Sequence, residues 1–263
     1  MGIVVNLSPV RRGARRAFAV VVPLLVAGVL SGCTATEQPG VPGTQGSGPV
    51  SSAGIPAADA NALLGQLQVA PEAAMAGYDR DKFPHWDTAP LDHGFGPQFS
   101  QYAKCTTRDV MMLRDASGPV SLDPKSCKLS IGKDGGWRDH YGVVDRKTGK
   151  LKPYAFITDP AKVDAEHIVP LAEAWRSGAG AKDLDTRRAI ANDATNLVAS
   201  DPTANRSKGD QDVSSYLPPG EFRCTYVVHY LQIKVKYGLT VDGEEQAALR
   251  TAIDDCVSRG GFA

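Results

Sequence analysis

Apolar residues recur at helical spacing in several parts of the chain. Near the end, Val227, Val228, Leu231 and Val235 share one face of a helix over 224–237, and Gly238 is placed to stop it. A second helix follows over 243–257, with Ala247, Ala248, Ala252, Ile253 and Cys256 on one side. Ala58, Leu63, Leu64 and Leu67 predict a short helix upstream, and 171–176 and 184–191 also read as helical. Turn residues 145–149 lie between aromatic and β-branched stretches and predict a hairpin over 137–157. Between 78 and 136 the chain is rich in Gly, Pro and Asp. That region is expected to hold loops and short elements, anchored by Phe83 and Trp86. There is no internal repeat, and one α+β domain over 57–263 is the simplest account.

A different apolar pattern marks the start. Arg11, Arg12, Arg15 and Arg16 precede the apolar run 17–30, and Ser31-Gly32-Cys33 follows. A charged segment, a short apolar segment and small residues at a cut site define an export signal over 1–32. Fourteen apolar residues fall short of the about 20 that span a bilayer, so a transmembrane anchor is the weaker alternative. Leu30-Ser31-Gly32-Cys33 resembles a lipobox, which implies lipidation of Cys33 and an anchor at the outer face of the membrane. Arg15-Arg16-Ala17-Phe18 is similar to a twin-arginine signal. Residues 33–56 are rich in Gly, Pro, Ser and Thr and are expected to form a disordered tether.

The leader also changes the charge balance. The whole chain has 29 basic and 29 acidic residues, but beyond residue 32 the count is 25 against 29, a net of −4. A broad basic field for tight nucleic-acid binding is excluded, so any phosphate recognition must be local. Setting Cys33 aside leaves Cys105, Cys127, Cys224 and Cys256. An even set in an exported chain predicts two disulfides, and four cysteines permit three pairings. The local pairs Cys105–Cys127 and Cys224–Cys256 are the expectation. A zinc site is the rival, disfavoured by the lack of a Cys-x-x-Cys spacing.

The chemistry lies in 163–210. Asp164-Ala165-Glu166-His167-Ile168-Val169-Pro170 opens this stretch, Asn196-Leu197 stands in the middle, and Asn205-Arg206-Ser207-Lys208-Gly209-Asp210 closes it. An acid beside a histidine means little alone, whereas the ordered series is hard to produce by chance. It resembles the HNH nuclease superfamily, with its ββα-metal fold. More narrowly, it resembles the domain found at the C-terminus of GmrSD-type restriction enzymes and in many exported proteins. Gly77-Tyr78-Asp79-Arg80, Trp86-Asp87, Cys105 to Arg108, Gly136-Trp137 and Leu217-Pro218-Pro219 extend the resemblance over most of the chain after the leader.

That resemblance implies an α+β fold with a ββα-metal core at about 137–212, inserted helices, a loop-rich N-terminal region and a C-terminal helix pair. Glu166 and His167 should end one strand, with Asn196 on the next and Asn205 on the following helix. His167 would be the general base, oriented by Asn196 through its side-chain or backbone carbonyl. Glu166 and Asn205 would hold a divalent ion, Mg²⁺ with Mn²⁺ as a substitute, since hard oxygen donors suit these ions. Asn205 stands where a histidine is also found, and an amide is a weaker ligand. Arg206 and Lys208 are the candidate phosphate-binding cations. Asp164 shares the strand face of Glu166, as a further ligand or as a solvated acid. Asp201-Pro202 should start the Asn205 helix.

Outside the series, His85, His93 and His229 are weaker candidates, His229 on a helix expected to pack structurally, and His140 in the hairpin reads as a surface residue, with an approach to the site as the alternative. Arg80, Trp86, Asp87 and Arg108 read as buried polar support, with Arg80 or Arg108 on substrate phosphate as the alternative. The expected activity is hydrolysis of nucleic acid, DNA with low sequence specificity, by a monomer. A non-catalytic envelope lipoprotein that keeps the fold for binding is the competing expectation, and a toxin-like effector a third.

Overall fold

The structure, a computed structural model, describes residues 56–262. The export signal, Cys33 and the tether up to residue 55 lie outside the described residues, which all belong to one contact unit over 43–263. Helix α1 (Ala57–Gln66) is followed by short 3₁₀ turns and by α2 (Thr107–Arg114). Strands β1 (Val120–Leu122) and β2 (Leu129–Ile131) form one antiparallel hairpin. Strands β3 (Trp137–Arg138) and β4 (Phe156–Ile157) close a second. Then come β5 (Asp164–His167), α3 (Leu171–Arg176), α4 (Leu184–Asn192), β6 (Leu197–Ser200), α5 (Pro202–Lys208), α6 (Arg223–Lys236) and α7 (Gly243–Ser258). Small antiparallel sheets amid many helices make the fold α+β.

Two apolar clusters flank the β5–β6 pair. One is built mainly by α1, α3, α6 and α7, and the other by α2, β1, Trp137 and Phe95 to Tyr102. Alternate residues of β6 serve the two, Val198 entering the first and Leu197 and Ala199 the second. All four residues of β6 are therefore buried, an apolar run from Leu197 to Ala199 that ends on Ser200. Its partner β5 is registered so that Glu166 faces Val198 and His167 faces Leu197.

Among the short elements of 78–136, helix α2 is the longest. The Thr106 hydroxyl accepts from the Asp109 amide, while the Asp109 carboxylate accepts from Thr106, a reciprocal cap that starts the helix. Val110, Met111, Met112 and Leu113 are buried. At its end Arg114 donates to the carbonyls of Ala194 and Leu197, each at 2.6 Å. The Asp115 carboxylate accepts from the Ala199 amide at 2.9 Å. This clamp fixes β6 to α2.

The two disulfides join Cys105 to Cys127 and Cys224 to Cys256. The second ties the start of α6 to the end of α7. Between these helices the buried Lys234 ammonium meets Glu173 of α3 at 2.8 Å and Glu245 of α7 at 2.6 Å. The Tyr230 hydroxyl also donates to Glu245.

Candidate active site

The end of α4 shows how the site is assembled. The last carbonyls of a helix have no partner within it. Here Asn196 Nδ2 donates to the Ile190 carbonyl at 3.0 Å, and His167 Nε2 lies 2.9 Å from the Ala191 carbonyl. A carbonyl only accepts, so Nε2 carries the proton and Nδ1 is the basic nitrogen. No described residue donates to Nδ1.

His167 is buried. Its ring stacks on Trp86 with centroids 5.8 Å apart and planes 5° from parallel, and the His85 ring lies 6.2 Å away. Burial pushes its pKa down to about 3, against the Ala191 carbonyl, which favours the cation. The charges of Arg80, His85 and Lys208 act in the same direction as burial. The imidazole is therefore neutral at physiological pH.

Trp86 is placed by Asn192, the last residue of α4. Asn192 Oδ1 accepts from the Asp87 amide and the Thr107 hydroxyl, both at 2.8 Å, and Nδ2 donates to the Pro84 carbonyl at 2.9 Å. Asp87 itself meets Arg188 at 3.2 Å and His93 at 3.4 Å. Trp86 and Asp87 thus act as support, as does Arg108, which donates to the Val163 carbonyl at the entry to β5.

Glu166 is buried and paired with Lys208 Nζ, which also donates to the His167 carbonyl at 2.8 Å. Burial pushes the Glu166 pKa up and Lys208 opposes the shift. Asn205 Nδ2 donates to Asp164 Oδ2 at 3.0 Å. This commits the amide nitrogen and leaves Oδ1 with no protein donor among the described residues. Helix α5 starts with the Asp201 carboxylate accepting from the Thr203 and Ala204 amides and with Pro202 in its first turn. Glu166, His167, Asn205 and Lys208 line one cleft together with Arg80 and Asp210.

Several expectations change. Lys208 is a buried counter-ion of Glu166 and a clamp on the β5 backbone, so it is not a surface cation waiting for phosphate. Arg206 is exposed and lines clefts on the other flank of α5. Besides the Glu166-paired Lys208, the cation that lines the Glu166 cleft is Arg80, which is exposed. Asn196 does not touch the imidazole through any hydrogen bond seen here; that acceptor is Ala191. Asn196 instead pins the α4 end and accepts from the Val169 amide at 2.8 Å, so it positions Ala191 through the preceding residue. His85 lies beside His167, while His140 sits 3.4 Å from Glu221 and His229 packs on Phe222.

The donor set fits a hard divalent cation. Glu166 offers the carboxylate oxygen that Lys208 does not hold, Asn205 offers Oδ1, and both line the same cleft. A second acidic group, Glu72, Glu173 and Asp212, lies apart. Both Glu173 oxygens and one oxygen each of Glu72 and Asp212 are already engaged by Arg176, Lys234, Ser177 and backbone amides, a structural role.

A two-stranded sheet feeding a short helix, with a histidine and an oxygen donor set in one cleft, defines a ββα nuclease-like domain. The chain belongs to the family described as GmrSD restriction endonucleases, C-terminal domain, which matches residues 107–252. It is also 34% identical over 208 residues to an uncharacterized secreted protein of Arthroderma benhamiae, covering 77% of this chain and 87% of that one. No solved structure matches.

Proposed function

We propose that the protein is an exported, metal-dependent endonuclease that hydrolyses phosphodiester bonds, with DNA as substrate and little sequence preference. The observation that carries this reading is the neutral His167, with Nε2 held by the Ala191 carbonyl and Nδ1 uncommitted, in the cleft that Glu166 and Asn205 line. His167 Nδ1 takes the proton of the attacking water, and Arg80 contacts a non-bridging phosphate oxygen. Ala191, Asn196 and Trp86 hold the ring in place. Glu166 and Asn205, with Asp164 behind Asn205, would hold a divalent ion, which would neutralise charge at the phosphate. Mg²⁺ is the expected ion and Mn²⁺ a substitute.

Export is supported by the two disulfides and by the relative described as secreted. On this reading residues 1–32 are the signal, Cys33 carries the lipid, 33–56 is the tether, and the enzyme is a monomer. Cleavage of plasmid and RNA with Mg²⁺, with Mn²⁺ and with EDTA tests the activity. Cutting in both metals and none in EDTA is expected, whereas metal-independent cutting contradicts the proposal.

A further inference from the structure

We infer that the β3–β4 hairpin and the outer flank of α5 form a track for the phosphate backbone of a polynucleotide, which leads to the cleft of Glu166 and His167. This rests on the nuclease reading of that cleft. Beyond residue 32 the chain is net acidic, so no general field draws a polyanion. Charge is instead concentrated at the hairpin. Arg146, Lys147, Lys150 and Lys152 fall within seven residues and are all exposed.

Asp145, the acid beside them, does not neutralise the tip. Its Oδ1 accepts from the amides of Lys147 and Thr148, each at 2.9 Å, and Oδ2 lies 3.8 Å from Lys152. Among the described residues no carboxylate oxygen comes within 4.0 Å of the charged nitrogens of Arg146, Lys147, Lys150 or Arg206. The backbone beneath is ordered by the Val144–Leu151 bridge and by the Asp145 amide donating to the Lys150 carbonyl at 2.8 Å. Arg146, Lys147 and Lys150 are thus unpaired, while Lys152 is held loosely by Asp145, and all are mounted on a fixed loop, which lowers the ordering cost of binding.

The placement supplies the substrate argument. Arg146, Lys147 and Lys152 line one side of a groove, and Thr203, Arg206 and Ser207 of α5 line the other. The same helix carries Asn205 and Lys208 into the Glu166 cleft. An α-helix is only about 10–12 Å across, so a strand in the groove lies close to the reacting phosphate. Cations on both walls of a concave groove suit an extended chain of phosphates. The half-exposed Val144 and Leu151 at the hairpin raise the rival of an anionic membrane surface, which the test separates.

The experiment compares the intact protein with a triple variant, R146A/K147A/K150A, and with the charge-conserving R146K/K147R. Affinity for a fluorescein-labelled DNA duplex is read by anisotropy in EDTA across a KCl series. Hydrolysis of bis(p-nitrophenyl) phosphate with Mg²⁺ reads the cleft without the track. The triple variant should bind duplex roughly tenfold or more weakly, with a log–log salt slope shallower by about 2–3, while R146K/K147R binds like wild type. Its hydrolysis of the small diester should be unchanged. Equal affinity and slope in wild type and the triple variant overturn the track. So does loss confined to vesicles of phosphatidylglycerol and phosphatidylcholine, which assigns the hairpin to a membrane. A wild type that hydrolyses neither plasmid nor the small diester fails the nuclease reading instead, and a slope that still depends on the hairpin upholds the track.

Discussion

A partly buried group that would rather be neutral leaves a mark on stability as well as on chemistry. His229 lies in α6 against Phe222, and burial pushes its pKa down to about 4, with Arg114 acting in the same direction. Its unfolded value is about 6.5, so between those values the unfolded chain binds a proton that the folded chain refuses. The stability this neutral ring contributes is complete above pH 6.5 and is lost as pH falls toward 4. His229→Gln should flatten that loss by about 1–3 kcal/mol in urea titrations at pH 7 and pH 4.5. An identical pH dependence in the variant would count against a neutral His229 ring in the folded chain. Lys208 is the converse case, a buried charge that exists to match another. Lys208→Met leaves Glu166 without its counter-ion and should cost about 3–5 kcal/mol by urea unfolding, with less lost in the double variant that adds Glu166→Gln.

At the level of elements, α2 and the disulfides make separate predictions. Thr106→Ala removes one half of the cap on α2 and should cost about 1 kcal/mol, because the Asp109 amide loses its acceptor. Reduction of the two disulfides should lower the melting temperature, as each contributes about 2–4 kcal/mol. An unchanged melting curve after complete reduction would contradict their role. Most elements were legible in the sequence, because 171–176, 184–191, 224–237 and 243–257 carry helical periodicity that local propensity supports. The signal for α2 was also present, a Thr-x-x-Asp cap before four consecutive apolar residues. It was masked by the surrounding Gly and Pro. The long-range partners were not legible. Nothing near Ala191 marks its carbonyl as the acceptor for His167, and nothing in Arg80 or His85 marks them as neighbours of β5. The Ala191 contact spans 24 residues of chain, and Arg80 and His85 lie more than 80 residues from His167.

Across the whole molecule, the two apolar clusters hold β5 and β6 between them, so the histidine is set in the protein rather than on a mobile loop. The same arrangement explains why Lys208 was misread. A Lys three residues beyond Asn205 looks like a surface cation in one dimension, yet one turn of α5 carries it inward to the buried Glu166. Local motif order therefore located the cleft, while the sharing of roles within it depended on packing. On the proposed reading, the net acidity beyond residue 32 leaves phosphate attraction to Arg80 and the hairpin cations rather than to a general field.

The central claim is that His167 is the base of a phosphodiester hydrolase. The most direct measurement is the rate of supercoiled plasmid cleavage in Mg²⁺ by wild type and by His167→Ala, with near-ultraviolet circular dichroism to show that both are folded. The account predicts that the folded variant is slower by about 10²–10⁴-fold. Equal rates in two folded proteins would contradict it.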